Sequence, residues 1–305
     1  MNKTIRIGTR DSELALWQAH TVERKLNDSG FATQIVAVKS QGDLMLDKPL
    51  YELGITGIFT KTLDIAMLSG QIDIAVHSMK DVPTALPKGI VQAAVLERAS
   101  HKDILVYKNS TDFFNTEATI ATGSLRRQAQ WLNRYPHHRV VDLRGNVNTR
   151  LQKLADHDWD GAVFASAGLD RIGLKPENYS ELDWMIPAPA QGAMVVVAME
   201  NDAFTREAVG KLNHNTTEIC THIEREFLRT LEGGCTAPIG AFAEIIDAQI
   251  RFGGVLCSLD GQEKILIEKS CAVEDYEHFG AQCAENALQS GGHELMARIR
   301  KDLKK

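Results

Sequence analysis

The sequence predicts an α/β protein of two lobes followed by a third, α+β domain, and three observations carry that prediction. The chain has 305 residues, enough for about two domains or three small ones at roughly 150 residues each. Over its first two thirds, short apolar runs of strand length alternate with segments whose apolar residues recur every three or four positions. In the last third the strands cluster and the helices follow them, the α+β pattern. A composition of 44% hydrophobic and 24% charged residues excludes disordered, collagen-like and low-complexity chains.

In chain order, residues 4–8 alternate as a strand. Ser12 then opens a helix on which Leu14, Ala15, Gln18, Ala19, Val22 and Leu26 share a face, closed by Gly30. A strand at 33–38, a helix at 60–68 and strands at 72–76 and 90–96 complete the first lobe. The second lobe reads as strands 103–107 and 119–122, helix 124–134, strand 139–143, helix 146–155 and strand 161–165. Such alternation implies mainly parallel sheets. Residues 193–198 are a further apolar, β-branched run with a helix at 202–212 behind it, and the pattern does not say which lobe they join. A helix at 217–231 runs into Glu232-Gly233-Gly234-Cys235. Strands near 239–244, 248–256 and 264–268 follow, with helices after Asp275 and Gly292.

The net charge of −6 argues against a general electrostatic grip on nucleic acid or anionic membrane, so any anion site must be local. No apolar run approaches the roughly 20 residues of a membrane helix. The N-terminus has no signal-peptide core, which predicts a cytoplasmic protein. Cys220, Cys235, Cys257, Cys271 and Cys283 are odd in number and at least 12 residues apart, which predicts reduced thiols and neither a disulfide framework nor a metal site.

Arg126 to Arg150 holds six arginines, no lysine and one acid, Asp142. The planar fork of arginine pairs carboxylate or phosphate in two-point fashion, so the cluster suits a polyanion. Ser124 as N-cap puts Arg126 and Arg127 in the first turn of a helix, where the dipole disfavours cations, an arrangement that makes sense if an anion sits there. Arg10, Asp81, Thr122, Ser124 and Arg144 all follow strands, the edge at which α/β sheets bind ligands. Asp81, after the apolar strand and His77, is placed to stabilise positive charge or to move a proton. Cys235, past a double glycine, belongs to a tight loop, where a thiol near positive charge is nucleophilic. The other four cysteines read as small buried hydrophobes. A two-lobed anion-binding protein and a cysteine hydrolase with His77 or His222 as base stay open on these residues alone.

Eight segments, in order, make the chain resemble the hydroxymethylbilane synthase (porphobilinogen deaminase) family along nearly its whole length. They are IGTRDSELALWQA at 7–19, GIFTK at 57–61, DIAVHSMKDVP at 73–83, GSLRRQ at 123–128, LRGNVNTR at 143–150, AGLDRIG at 167–173, PAPAQGA at 187–193 and LEGGCTAPIG at 231–240. The resemblance implies two lobes of the periplasmic-binding-protein type and a third α+β domain. The expected limits are 1–96 with 193–212 for the first lobe, 97–192 for the second and 213–305 for the third, with hinges near 96–100 and 187–191.

The resemblance further implies a transferase of heme biosynthesis. It condenses four porphobilinogen molecules head to tail on a dipyrromethane primer, releases ammonia at each step and hydrolyses off linear hydroxymethylbilane. Cys235 matches the thioether attachment residue and Asp81 the catalytic aspartate. Lys80, Asp81, Thr122, Ser124, Arg126, Arg127, Arg144 and Arg150 match residues that bind the cofactor. Arg10, Ser12, Arg144, Arg150, Arg171 and Gln191 match residues that bind substrate. A monomer without metal, nucleic acid or membrane partners is implied. The chain departs from the family pattern around Glu52, Ile55 and Thr56 and at Thr62, Gly123, Ala190 and Ala237; a serine is common at 123 and a glycine at 190.

Overall fold

The computed structural model describes residues 3–38, 60–231 and 237–303. Residues 57–59 of GIFTK, the positions Glu52, Ile55 and Thr56, and Cys235 lie outside the described residues. The described residues divide into two compact units, one built from 3–38, 60–99 and Gly192–Glu218, the other from Ser100–Gln191 and the described residues from 219 onward.

In the first unit, β1 (Ile5–Thr9), β2 (Thr33–Ala37), β3 (Ile74–Ser78), β4 (Ile90–Val95) and β10 (Met194–Met199) form one sheet in the order β2-β1-β3-β10-β4. The run at 193–198 therefore inserts between β3 and β4 of the first sheet. Its residues Met194 to Ala198 are all buried, which explains an uninterrupted apolar sequence without alternation. Helix α1 (Glu13–Asp28) buries Ala15, Gln18, Ala19, Val22 and Leu26. Of these, Ala19, Val22 and Leu26 pack in one core with Ile5, Ile7, Ile74, Val76 and Val196, where each large aliphatic side chain contributes about 1.5–3 kcal/mol. Helices α2 (Lys61–Leu68) and α6 (Ala203–Gly210) complete the lobe.

The second unit contains a sheet of the same plan. Strands β5 (Asp103–Tyr107), β6 (Thr119–Ala121), β7 (Arg139–Val141), β8 (Gly161–Ala165) and β9 (Tyr179–Glu181) run in the order β7-β6-β8-β5-β9. In both sheets the first three strands are parallel and one crossing strand, β10 or β5, lies antiparallel to both of its neighbours. The expected mainly parallel sheets are thus mixed, because each lobe accepts a strand that crosses it in the reverse sense. Helix α3 (Leu125–Arg134) brings Trp131 against one face, with Leu105, Ile120 and Val163. On the other face Leu143, Leu154 and Leu169 pack with Ile104 and Val106. Helices α4 (Val147–Asp156) and α5 (Ser166–Arg171) supply Leu154 and Leu169.

The remaining sheet of this unit is an antiparallel meander, β11 (Ile239–Ile246), β12 (Gln249–Cys257) and β13 (Lys264–Ala272). Helices α7 (Asn215–Thr230), α8 (Phe279–Ala287) and α9 (His293–Asp302) bury Phe227, Cys283 and Leu295 against it. Val255 and Cys257 also pack with Ala129 of α3, and Asn133 Nδ2 donates to Gly261 O at 2.8 Å.

Candidate active site

In the first unit, β1 and β3 are parallel and end at the same edge of the sheet, so Arg10 and the turn Met79–Asp81 leave from one side. That turn is fixed by its backbone, since Met79 N donates to Ala193 O at 3.0 Å, at the head of β10. Gln18 Nε2 reaches Ser78 Oγ at 2.8 Å and ties α1 to the end of β3. Lys80 and Asp81 emerge half-buried on this support, and so do Arg10 and Ser12 at the start of α1. His77, behind them, is buried and its Nε2 has no partner. Burial, helped by the charge of Arg10, lowers its imidazole to about 4, so it is neutral at physiological pH and is not poised as a base.

In the second unit the parallel strands β6 and β7 likewise end in functional candidates, Thr122 with Ser124 after the first and Arg144 after the second. Thr122 is buried, its N–H donates to Val141 O at 2.9 Å, and its Oγ1 accepts from Ser124 N at 3.3 Å. Ser124 caps α3 and accepts from Arg127 N at 3.5 Å. Gly123 lies so close to the chain just after β7 that a Cβ there would stand 2.6 Å from Leu143 O, so a serine at 123 needs that segment to shift.

Arg126 and Arg127 do sit in the first turn of α3, but they are buried and share an acid of the protein itself. Arg126 Nη1 donates to Asp103 Oδ2 at 2.7 Å and to Ile186 O at 2.9 Å. Arg127 donates to Asp103 Oδ1 from Nε at 2.9 Å and from Nη2 at 2.7 Å, and from Nη1 to Val163 O at 2.9 Å. Asp103 is the residue that sequence reasoning missed. Its signal is an acid opening the apolar run 103–107, two positions before Leu105 and so on the same face of β5 toward α3. Gln191, fully buried, donates from Nε2 to His101 O at 2.8 Å and to Asp103 Oδ1 at 3.0 Å.

The other arginines are less enclosed in acid. Arg144 is buried with Nη1 unpartnered, and burial lowers its guanidinium although Asp142 opposes this. Arg150, on α4, donates from Nε to Gly145 O at 2.8 Å, where the chain turns through a φ of 115° that glycine tolerates. Arg171 ends α5, and burial brings it down to about 10, still charged near neutrality.

Arg126 Nε is also buried without a partner. A buried N–H left without an acceptor costs about 1–3 kcal/mol, more when it is charged. Arg126 Nε and Arg144 Nη1 are therefore donors that a ligand carboxylate would satisfy, and they fit a group bearing acetate and propionate side chains, as a dipyrromethane does.

Cys220, Cys257 and Cys283 are buried and Cys271 half-buried. Burial raises Cys257 to about 11 and Cys283 to about 12, which makes them inert packing residues. His222 Nε2 lies 3.1 Å from Glu277 O. Among the described residues no helix is long and apolar enough to cross a membrane.

Residues 5–207 match the family model described as porphobilinogen deaminase, dipyromethane cofactor binding domain, and residues 218–289 match the porphobilinogen deaminase C-terminal domain. A porphobilinogen deaminase of Chlorobium phaeobacteroides (strain BS1) is 38% identical over 312 residues, which cover 99% of each chain. Among solved structures, the periplasmic VFT2 domain of BvgS from Bordetella pertussis aligns at a TM-score of 0.41 and 12% identity, over 68% of this chain and 86% of that one. The probable amino-acid ABC transporter extracellular-binding protein YtmK of Bacillus subtilis aligns at 0.42 and 11%, over 70% and 90%. With family models spanning both its lobes and its C-terminal domain, and a relative matched end to end, the chain belongs to the porphobilinogen deaminase family, transferases of tetrapyrrole synthesis with a dipyrromethane-binding domain.

Proposed function

We propose that this chain condenses four porphobilinogen molecules head to tail on a dipyrromethane held by a thioether to Cys235, and then hydrolyses off linear hydroxymethylbilane. The observation that carries the reading is the pair of buried guanidinium N–H groups without acceptors, Arg126 Nε and Arg144 Nη1. The dipyrromethane, when bound, supplies the nucleophilic pyrrole terminus. Lys80, Thr122, Ser124, Arg126, Arg127, Arg144 and Arg150 hold its carboxylates. Arg10, Ser12, Arg171 and Gln191, again with Arg144 and Arg150, orient the acetate and propionate of each incoming unit.

Asp81 accepts the pyrrole N–H of the incoming porphobilinogen. As the aminomethyl C–N bond breaks and ammonia leaves, its carboxylate stabilises the positive charge left on the substrate until a new C–C bond forms and the pyrrole α-carbon gives up its proton. The fixed turn at Met79 keeps that carboxylate in one place through every cycle, while the segments 96–100 and 187–191 act as hinges. A cytoplasmic monomer with domain limits at 1–96 with 193–212, 97–192 and 213–305 belongs to the same reading.

Asp81→Ala tests the catalytic part. Turnover per primer-bearing chain is expected to fall by about 10²–10³-fold. Near-normal turnover with the primer in place would remove Asp81 from the mechanism.

A further inference from the structure

Arg126 and Arg127 are organised by one shared acid. Asp103 is fully buried; its Oδ2 takes Arg126 Nη1 at 2.7 Å, and its Oδ1 takes Arg127 Nε and Nη2 at 2.9 and 2.7 Å and Gln191 Nε2 at 3.0 Å. Two neighbouring guanidiniums repel each other and lose their hydration on burial, so without a shared acceptor they would not hold one geometry. One carboxylate anchors both and leaves the group with one positive charge in excess, whereas a second acid would cancel that charge. The anchoring is also one-sided, since Arg126 Nε stays buried and unpartnered.

We propose that Asp103 is a positioning residue of the cofactor site: through Arg126 and Arg127 it fixes both the direction of their remaining N–H groups and the one excess positive charge offered to a primer carboxylate. This rests on the reading of Arg126 and Arg127 as primer-binding residues. The primer does not need to touch Asp103 for the residue to govern its retention.

The test reads the fraction of chains that carry primer, by intact mass after incubation with porphobilinogen, beside the thermal midpoint of each variant. Gln191→Glu keeps the shape and places a second acid against Asp103 Oδ1, whereas Gln191→Leu removes the same hydrogen bond without adding charge. The primer-bearing fraction is expected to fall about tenfold in Gln191→Glu and by less in Gln191→Leu, whichever of the two is the more stable. Asp103→Asn is expected to lose primer as well and Asp103→Glu to recover part of it; if Asp103→Asn does not fold, the Gln191 pair decides.

Wild-type loading in Gln191→Glu, or losses that simply follow the thermal midpoints, would overturn the proposal. Arg126→Gln and Arg127→Gln separate the role of these arginines from that of Asp103. If both load primer normally, the reading of these arginines fails and the proposal falls with it. If both lose primer while Gln191→Glu and Asp103→Asn load normally, the proposal alone falls.

Discussion

Two groups close together in the chain, Asp73 and His77, respond to acid in separate pH windows. His77 is neutral when folded, held at about 4 by burial and by Arg10, against an unfolded value near 6.5. The unfolded chain therefore takes up the proton first, so stability is whole above about pH 6.5 and falls by about 3 kcal/mol as pH drops toward 4. Burial pushes Asp73 up, but hydrogen bonds from Arg6 and Lys3 outweigh this and bring it down to about 2. Its contribution is complete above the unfolded value near 4 and is lost as pH falls through about 2. Because Lys3 and Arg6 are partly exposed, about 1–2 kcal/mol is the appropriate size. Urea unfolding between pH 7 and pH 3 separates the two. His77→Gln flattens the profile from 6.5 to 4, and Asp73→Asn lowers stability at pH 7 while flattening it only below about 4. A His77→Gln profile parallel to the wild type from 6.5 to 4 would contradict this assignment.

At the scale of elements, helices with a buried face and strands that are continuous apolar runs were legible to within a residue or two: α1, α3, β5 and β8 start and stop where their patterns predict. β3 shifts by two residues, from 72–76 to Ile74–Ser78, because Asp73 is spent on Arg6 and the polar His77 is buried in the strand. Neither α5 nor β9 was read: α5 is six residues long, too short to show a helical period, and β9 is the polar, half-exposed Tyr-Ser-Glu, without an apolar run to mark it. The two departures from the family pattern at 123 and 190 have opposite outcomes. Gly123 sits against the Leu143 carbonyl just after β7, so Gly123→Ser forces Leu143 to move and is expected to cost about 1–3 kcal/mol in chemical denaturation, with weaker primer retention. Unchanged stability would mean that the chain at Leu143 yields freely. Ala190, in contrast, occupies a φ of 63°, fully buried, with its N–H on Glu224 Oε2 at 2.6 Å. Here the chain carries an alanine in the conformation that favours the family's glycine.

For the molecule as a whole, the two lobes repeat one sheet plan although they arise from different orders along the chain. The crossing strand comes last in the first lobe, as β10, and first in the second, as β5. That reversal is why pattern reading alone did not place the run at 193–198, whose lobe is set by pairing with β3 and β4. The site was legible in part for a related reason. Arginines, Asp81 and Cys235 stand out as residue types in segments that follow strands or turns. The role of Asp103 depends on a buried three-way contact between β5, α3 and Gln191 that no local window contains.

On the proposed mechanism the protein carries its own primer on Cys235. The most direct measurement is the intact mass of the natively purified chain beside Cys235→Ser, before and after incubation with porphobilinogen. The predicted result is an excess equal to two porphobilinogen units less their ammonias, present in the wild type and absent in Cys235→Ser. A wild-type mass without any pyrrole adduct under both conditions, or an adduct that survives in Cys235→Ser, would contradict it.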